Sequence, residues 1–285
     1  MAPSSQDAAR RLLILLAIVS HALRLMLLWD FVFRTAAAVQ NLTGSSPRWR
    51  SLGLRGEWLK LRARWNWFWG RRALRRVLRE RGLVPFLTCD ERKFLRLGLT
   101  ELSRAEAHRF LWHIEAAACI AWALRLLPRL WPMDEQFDGK LDFASLGGPQ
   151  RHLVQTATLR PVGEFEAAGD SIKLWHWRAR QLALERQGYR WPPQTAAPDA
   201  IADLQSKGLD TLDGLVRVTA RLLREQGKLD QTIDDDFVAK GKAYRQLSEE
   251  ELSELLGIAS ERHKALNWLR GLAPDNDWEA VPTET

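Results

Sequence analysis

The stretch Phe110-Leu111-Trp112-His113-Ile114-Glu115-Ala116-Ala117-Ala118-Cys119-Ile120-Ala121-Trp122-Ala123-Leu124-Arg125-Leu126-Leu127 decides how this chain folds. Its strongly polar side chains are His113, Glu115 and Arg125, so at helical spacing nearly the whole circumference is apolar. A helix of that kind must be covered on every side and predicts a core made of other helices. Phe110, Ile114, Ala117, Ala121 and Leu124 make one stripe; Leu111, Ala118 and Trp122 make its neighbour, and Glu115 falls on the second. Ser103 and Glu106 are a capping-box pair that opens the element at about Ala105, and Pro128 is its expected stop. Buried there, the Glu115 carboxylate needs either a partner or a proton, because an isolated charge in an apolar interior costs several kcal/mol.

Helical signals continue outward in both directions. Upstream, Gln6 to Val39 reads as one apolar helix, the segment between Glu57 and Arg81 as one or two helices stopped by Gly82, and Thr88 with Glu91 as a second capping box. Downstream, helix resumes at about Gly163, breaks over the turn-rich Gln187 to Ala197, returns from Leu212 to Gln226, and returns again from a Ser248 and Glu251 capping box to Arg270, closed by Gly271. Pro132 to Pro161 is rich in Gly and Pro. The expectation is a mainly α, irregular multi-helix globular bundle, with a short β-hairpin or extended excursion around 132–161. The expected division is 1–82, an apolar helix plus a basic Trp- and Arg-rich segment, followed by 83–285, the helical core. Together they make one compact domain with a hinge near 187–198.

Charge is concentrated. The net charge is +7, yet the segment between Pro47 and Gly82 holds eleven Arg and one Lys against Glu57 and Glu80, so it supplies the entire basic excess. Trp49, Trp58, Trp65, Trp67, Phe68 and Trp69 are interleaved with it. Guanidinium groups beside indoles suit phosphate backbones or anionic lipid head groups; an amphipathic helix that buries its Trp and solvates its Arg explains the same pattern. Nucleic acid or an anionic membrane surface is therefore a partner expected through Arg48 to Arg81, beside the leading expectation of a protein partner.

Leu12 to Trp29 is 18 residues long and contains eleven Leu, Ile or Val, but also His21 and Arg24. The apolar residues favour membrane insertion by about 5 kcal/mol and the Arg returns about 3, which makes insertion marginal. Arg10-Arg11 ahead of Leu12 to Val19, with Ser20-His21-Ala22 behind, also spells a signal peptide, although cleavage would leave Leu23 to Phe33 exposed. A buried helix in a cytoplasmic protein is the preferred reading, with membrane association through Leu12 to Phe33 as the alternative. Cys89 and Cys119 offer no metal spacing and no disulfide framework, which fits a reducing compartment.

The spacings that chemistry needs are missing. The chain has no Walker loop, dinucleotide fingerprint, nucleophile elbow or zinc helix, and Asp230 to Asp236 lacks the ligand alternation of a calcium loop. Asp234, Asp235 and Asp236 are weak metal candidates; three adjacent acids ordinarily solvate a loop. No cofactor is expected.

Several runs carry a resemblance. Leu174-Trp175-His176-Trp177-Arg178, with Arg180 following, then Asp234-Asp235-Asp236-Phe237, Gly241-Lys242-Ala243-Tyr244, Glu261-Arg262-His263-Lys264-Ala265-Leu266-Asn267-Trp268-Leu269 and Asn276-Asp277-Trp278 form an ordered signature. It resembles the bacterial family of domain of unknown function 4272. Trp112-His113-Ile114-Glu115-Ala116 and Ala121-Trp122-Ala123-Leu124 are similar to that family's Trp-Arg-x-Glu-Ala and Trp-Ala-Leu-Gly pattern, with His113 in place of Arg and Arg125 in place of Gly. The resemblance runs from about Arg11 to Thr285, is strongest after Leu174, and implies a soluble helical protein without implying a reaction.

Two functional readings follow. In the first, the protein is a non-catalytic, macromolecule-binding helical protein, regulatory or interacting with another protein. Its signature residues, with Trp112, Trp122, Trp175 and Trp177 among them, are then structural: Arg178 and Arg180 pair with Glu115 or Glu261, Asn267 bonds backbone, and Trp268 with Trp278 pins the tail. In the second, Glu115, His176, Glu261 and His263 are catalytic candidates around one pocket and Arg178, Arg180 and Arg262 are anion-binding candidates, as in a hydrolase or transferase acting on an anionic substrate. The missing motif spacings, and signature residues that can be explained without catalysis, lean against the enzyme.

Overall fold

The computed structural model describes residues 2–43, 53–98, 101, 103–138, 150–192 and 197–284; of 29–43, 53–60, 63–64, 150–151 and 198 it describes the backbone alone. Arg48, Trp49 and Arg50, and residues 139–149 of the expected excursion, lie outside the described residues. The fold is mainly α with one small sheet. The chain divides into two compact units, an amino-terminal one of Pro3–Leu126 with Leu141–Leu159, and a carboxy-terminal one of Met1–Ala2, Leu127–Lys140 and Arg160–Thr285.

In the amino-terminal unit α1 (Ser5–Thr43) packs against α2 (Gly53–Glu80), α4 (Arg104–Leu111), α5 (His113–Ala123) and α6 (Gln150–Thr156). Ser5–Leu28 is long and apolar enough to cross a bilayer, and most of it is buried inside the protein. Small side chains on both sides, Ala8, Ala9 and Ala17 on α1 and Ala116, Ala117, Ala118 and Ala121 on α5, let these two backbones come close. Arg11 is buried and forms a two-pronged ion pair with buried Glu91, its Nη1 donating to Oε2 at 3.2 Å and its Nη2 to Oε1. Glu91 is also the third residue of the Thr88 capping box that starts α3 (Cys89–Arg96), accepting from the Thr88 backbone N–H at 2.8 Å. One carboxylate thus neutralises a core arginine and begins a helix.

The long apolar element departs from its expected bounds. Its ladder is interrupted at Trp112, where the Glu115 N–H turns back three residues to the Trp112 carbonyl, so α4 and α5 are separate helices. It ends at Ala123 rather than Leu127 because Arg125 takes a left-handed conformation, φ 61°, and the Arg125 and Leu126 N–H groups return to the carbonyls of Trp122 and Ala121. That pair of reversed bonds is a Schellman stop. It comes before the proline acts.

In the carboxy-terminal unit α7 (Val162–Arg186) packs along α10 (Glu249–Leu269), with α8 (Pro198–Ser206) and α9 (Leu212–Glu225) between them in the chain. Gly169 permits close passage of Arg270, whose Nη1 would lie 2.7 Å from any Cβ placed there. Among the described residues the β structure falls at 232–243, and those of the expected 132–161 region hold no strand: β1 (Thr232–Ile233), β2 (Asp236–Ala239) and β3 (Lys242–Ala243) form an antiparallel meander. Ile233 pairs with Asp236 across Asp234 and Asp235 (φ 52° and 57°), and Ala239 pairs with Lys242 across Lys240 and Gly241 (φ 52° and 75°). Both links are two-residue turns with two left-handed positions, the geometry that matches strand twist.

Candidate functional site

The polar residues of the signature gather inside the carboxy-terminal unit. On α7, four-residue spacing and the unbroken ladder put His176 and Arg180 on one side and Arg178 on another. His176 faces α10, where its Nδ1 lies 3.0 Å from Nδ1 of His263, and both rings are buried. One turn along α10, the Asn267 amide nitrogen contacts His263 Nε2 at 2.9 Å and donates to the Pro282 carbonyl at 2.8 Å. A carbonyl only accepts, so that amide group is a donor and His263 Nε2 is its acceptor. His263 therefore carries its proton on Nδ1, donates it to His176 Nδ1, and leaves the His176 proton on Nε2. Burial lowers the pKa of each ring to about 4, helped at His176 by His263 and Arg180 and at His263 by Lys173 and Arg270. Both are neutral imidazoles at neutral pH.

Arg178 and Arg262 are also engaged. The Arg178 Nε and Nη2 donate to the Asp236 carboxylate at 2.6 and 2.7 Å, and its guanidinium stands 5.1 Å from the centre of the Tyr244 ring. The partner is Asp236, where Glu115 or Glu261 was expected: Glu115 is buried on α5 of the other unit, and Glu261 is half-buried on α10. Asp236 is fully buried and further accepts from the backbone N–H groups of Phe237 and Arg245 and from Arg245 Nε. These donors hold its carboxyl below the usual value although burial alone would raise it. Arg262, also buried, donates to the carbonyls of Trp131, Pro132 and Glu135 at 2.7 to 3.1 Å, anchoring an irregular segment. Arg180 is half-buried.

The aromatic residues of the signature do structural work. Trp175 meets Phe237 edge-on at 5.5 Å and Trp177 lies 6.4 Å from the same ring, so α7 covers β2. Trp268 and Trp278 meet at 5.5 Å, and the Trp268 Nε1 donates to the Asn276 carbonyl at 3.2 Å, which pins the tail on α10. Trp122 is buried in α5 and Trp112 occupies the break before it. Asp234 is exposed at a turn and Asp235 pairs with Arg221 at 3.2 Å. Among the described residues no three His, Cys, Asp or Glu side chains gather closely enough to hold a metal ion.

Two concave surfaces lie along α2 in the amino-terminal unit. A groove of about 320 Å³ is lined by Phe68, Trp69 and the arginines Arg71, Arg72, Arg75, Arg76 and Arg79. Positions 68, 72, 75, 76 and 79 share one helical face. Along Arg71 to Arg79, among the described residues, the paired carboxylate is Glu80, 3.8 Å from Arg76 with both side chains mostly in water. Arg71 is tied to the carbonyls of Arg96 and Leu97. Burial, then Arg71, Arg96 and Arg79, push Arg75 below the ordinary arginine pKa. A second cavity, of about 550 Å³, shares Trp69 and is walled by Trp65, Trp67, His21, Arg24 and Leu27. His21 stacks on Trp67 at 4.2 Å with neither ring nitrogen bonded, and burial followed by Arg24, Arg71 and Arg75 lowers its pKa to about 3. The sequence showed the arginines and tryptophans, but His21 and Arg24 on α1 join them only through helix packing.

A family model described as a domain of unknown function (DUF4272) matches residues 62–193. The match supports the family resemblance read from the sequence over this stretch, which is less than half of the chain and shorter than the Arg11 to Thr285 extent expected for it. It contains the arginine face of α2 and the His176 to Arg180 turn of α7, whereas the signature after Asp234 lies beyond it. No curated protein and no solved structure matches the chain.

Proposed function

We propose that this is a non-catalytic binding protein of the bacterial cytoplasm that engages an anionic macromolecular surface through α2. The observation that carries the reading is the row Arg71, Arg72, Arg75, Arg76 and Arg79, clustered tightly enough to repel itself and bordered by Phe68 and Trp69. Holding five guanidinium groups side by side costs free energy that an anionic partner returns. The enzyme reading draws less support, because its candidate side chains are used within the fold. Arg178 is bound to Asp236, Arg262 to three carbonyls, and the histidines to each other and Asn267, while the two α2 cavities are lined by other residues.

The test measures binding of the full chain to a homopolymeric RNA and to anionic vesicles over a range of salt. Binding to at least one of them should weaken steeply with salt, by a log–log slope of about 0.7 for each arginine engaged on single strands. The variant R72E/R75E/R79E should lose it. Salt-independent binding, or none to either probe, would sink the reading.

A further inference from the structure

The large apolar side chains that α1 and α2 leave in solvent identify the chemistry of the partner. Leu27, Leu61 and Trp65 are 59%, 64% and 61% exposed, and Leu23, Phe68 and Trp69 are each nearly half exposed. They come from adjoining stretches of two helices that pack together, and Leu27, Trp65 and Trp69 wall the same cavity. Arg24 bridges the two helices, its Nη1 3.5 Å from where a Cβ on Gly70 would stand. This face has an apolar, aromatic part beside a cationic part, with Trp69 belonging to both. Exposed leucines gain nothing from stacking on bases or pairing with phosphates, and a nucleic-acid site has no use for Leu23, Leu27 or Leu61. A bilayer interface uses all three elements: acyl chains receive Leu, the head-group boundary receives Trp, and lipid phosphates receive Arg.

Resting on the reading that α2 is the binding face, we infer that the partner is an anionic lipid bilayer. Leu27, Leu61, Trp65 and Trp69 enter the head-group and acyl boundary, while Arg72, Arg75, Arg76 and Arg79 bind the lipid phosphates. The helices lie on the membrane and do not cross it, because the preceding stretch of α1, Leu12 to Ile18, is buried on all sides in the protein core.

The experiment is co-sedimentation of the full chain with phosphatidylcholine vesicles, with and without phosphatidylserine, beside filter binding to a homopolymeric RNA and sedimentation velocity of the free protein. Binding is expected to vesicles containing phosphatidylserine and not to phosphatidylcholine alone. R72Q/R75Q/R79Q should weaken it roughly a hundredfold, at about fivefold for each charge. L27Q/L61Q/W65Q alters exposed side chains, so the fold should persist by circular dichroism. It should weaken vesicle binding by at least a hundredfold while any RNA retention stays as in the parent. RNA binding without vesicle binding would overturn the lipid assignment and leave the anion-binding reading standing; binding to neither probe would overturn both. Vesicle affinity unchanged by the apolar substitutions, or a self-associated protein made monomeric by them, would also overturn the lipid assignment.

Discussion

Asp236→Asn tests the central polar device of the carboxy-terminal unit. The substitution keeps the shape of the side chain and removes its charge. Asp236 is fully buried and Arg178 is 2% exposed, so the pair is out of water, and their 2.6 and 2.7 Å bonds are charge-assisted and in fork geometry. Without the carboxylate the Arg178 guanidinium stays buried beside an amide that partly opposes it. Removing one member of a buried pair typically costs about 3–5 kcal/mol. That is a large share of a domain stability of about 5–15 kcal/mol. With a urea slope of about 1–3 kcal/mol/M, the unfolding midpoint should fall by about 1 M or more, read by far-ultraviolet circular dichroism. The double variant R178M/D236L should recover part of the loss, since an uncompensated charge does the damage, and Arg245 still has the Asp213 carboxylate at 2.7 Å and the Asp234 carbonyl. A loss below about 1 kcal/mol in D236N, or a double variant that costs the full sum of its parts, would refute this account of the pair.

Acid should weaken the fold well before it protonates most carboxylates. His176 and His263 have folded pKa values near 4 against 6.5 for the free side chain, so the unfolded chain binds protons first. Their stabilisation is complete above about pH 6.5 and is lost as the pH falls toward 4, up to about 3 kcal/mol for each ring; a urea midpoint unchanged between about pH 7 and pH 5 would contradict it. Arg125→Gly should stabilise the amino-terminal unit by about 1 kcal/mol, because Arg125 holds a left-handed conformation that glycine adopts freely, and calorimetry should show a higher Tm. Asn267→Ala leaves the Pro282 carbonyl and His263 Nε2 without their donor, so about 1–3 kcal/mol should be lost and the residues after Trp278 should become the first site of limited proteolysis.

Much of the helical architecture was legible because its signals are local. The capping boxes at Thr88, Ser103 and Ser248 all form, and Gly82 and Gly271 stop their helices at φ 64° and 76°. Arg125 was the exception: nothing local marks an arginine as a left-handed stop, although its place at a glycine of the family pattern was visible. The small sheet was hidden for a similar reason. Asp234-Asp235 and Lys240-Gly241 are weaker hairpin signals than Asn-Gly, and an acidic run reads first as solvated loop. Asp236 changes from that reading only once the turn places it inward against Arg178, 58 residues earlier in the chain. The His176 and His263 contact spans 87 residues, so sequence could put each ring on an apolar stripe without naming its partner.

The two kinds of positive charge in this chain explain why the binding face is proposed on α2. An arginine in the interior must be matched, and Arg11, Arg178 and Arg262 each are, by Glu91, by Asp236 and by three carbonyls. Their positions satisfy the fold, and a ligand reaching them would first have to displace a partner that already provides good geometry. The arginines of α2 follow the opposite pattern. Water screens them well enough that folding tolerates the row with Glu80 as its paired carboxylate, and the repulsion that remains is what the proposed anionic partner would relieve. A sequence that collects most of its basic excess on one exposed helix face, while pairing its buried arginines one by one, separates the charges that hold the protein together from those available for binding.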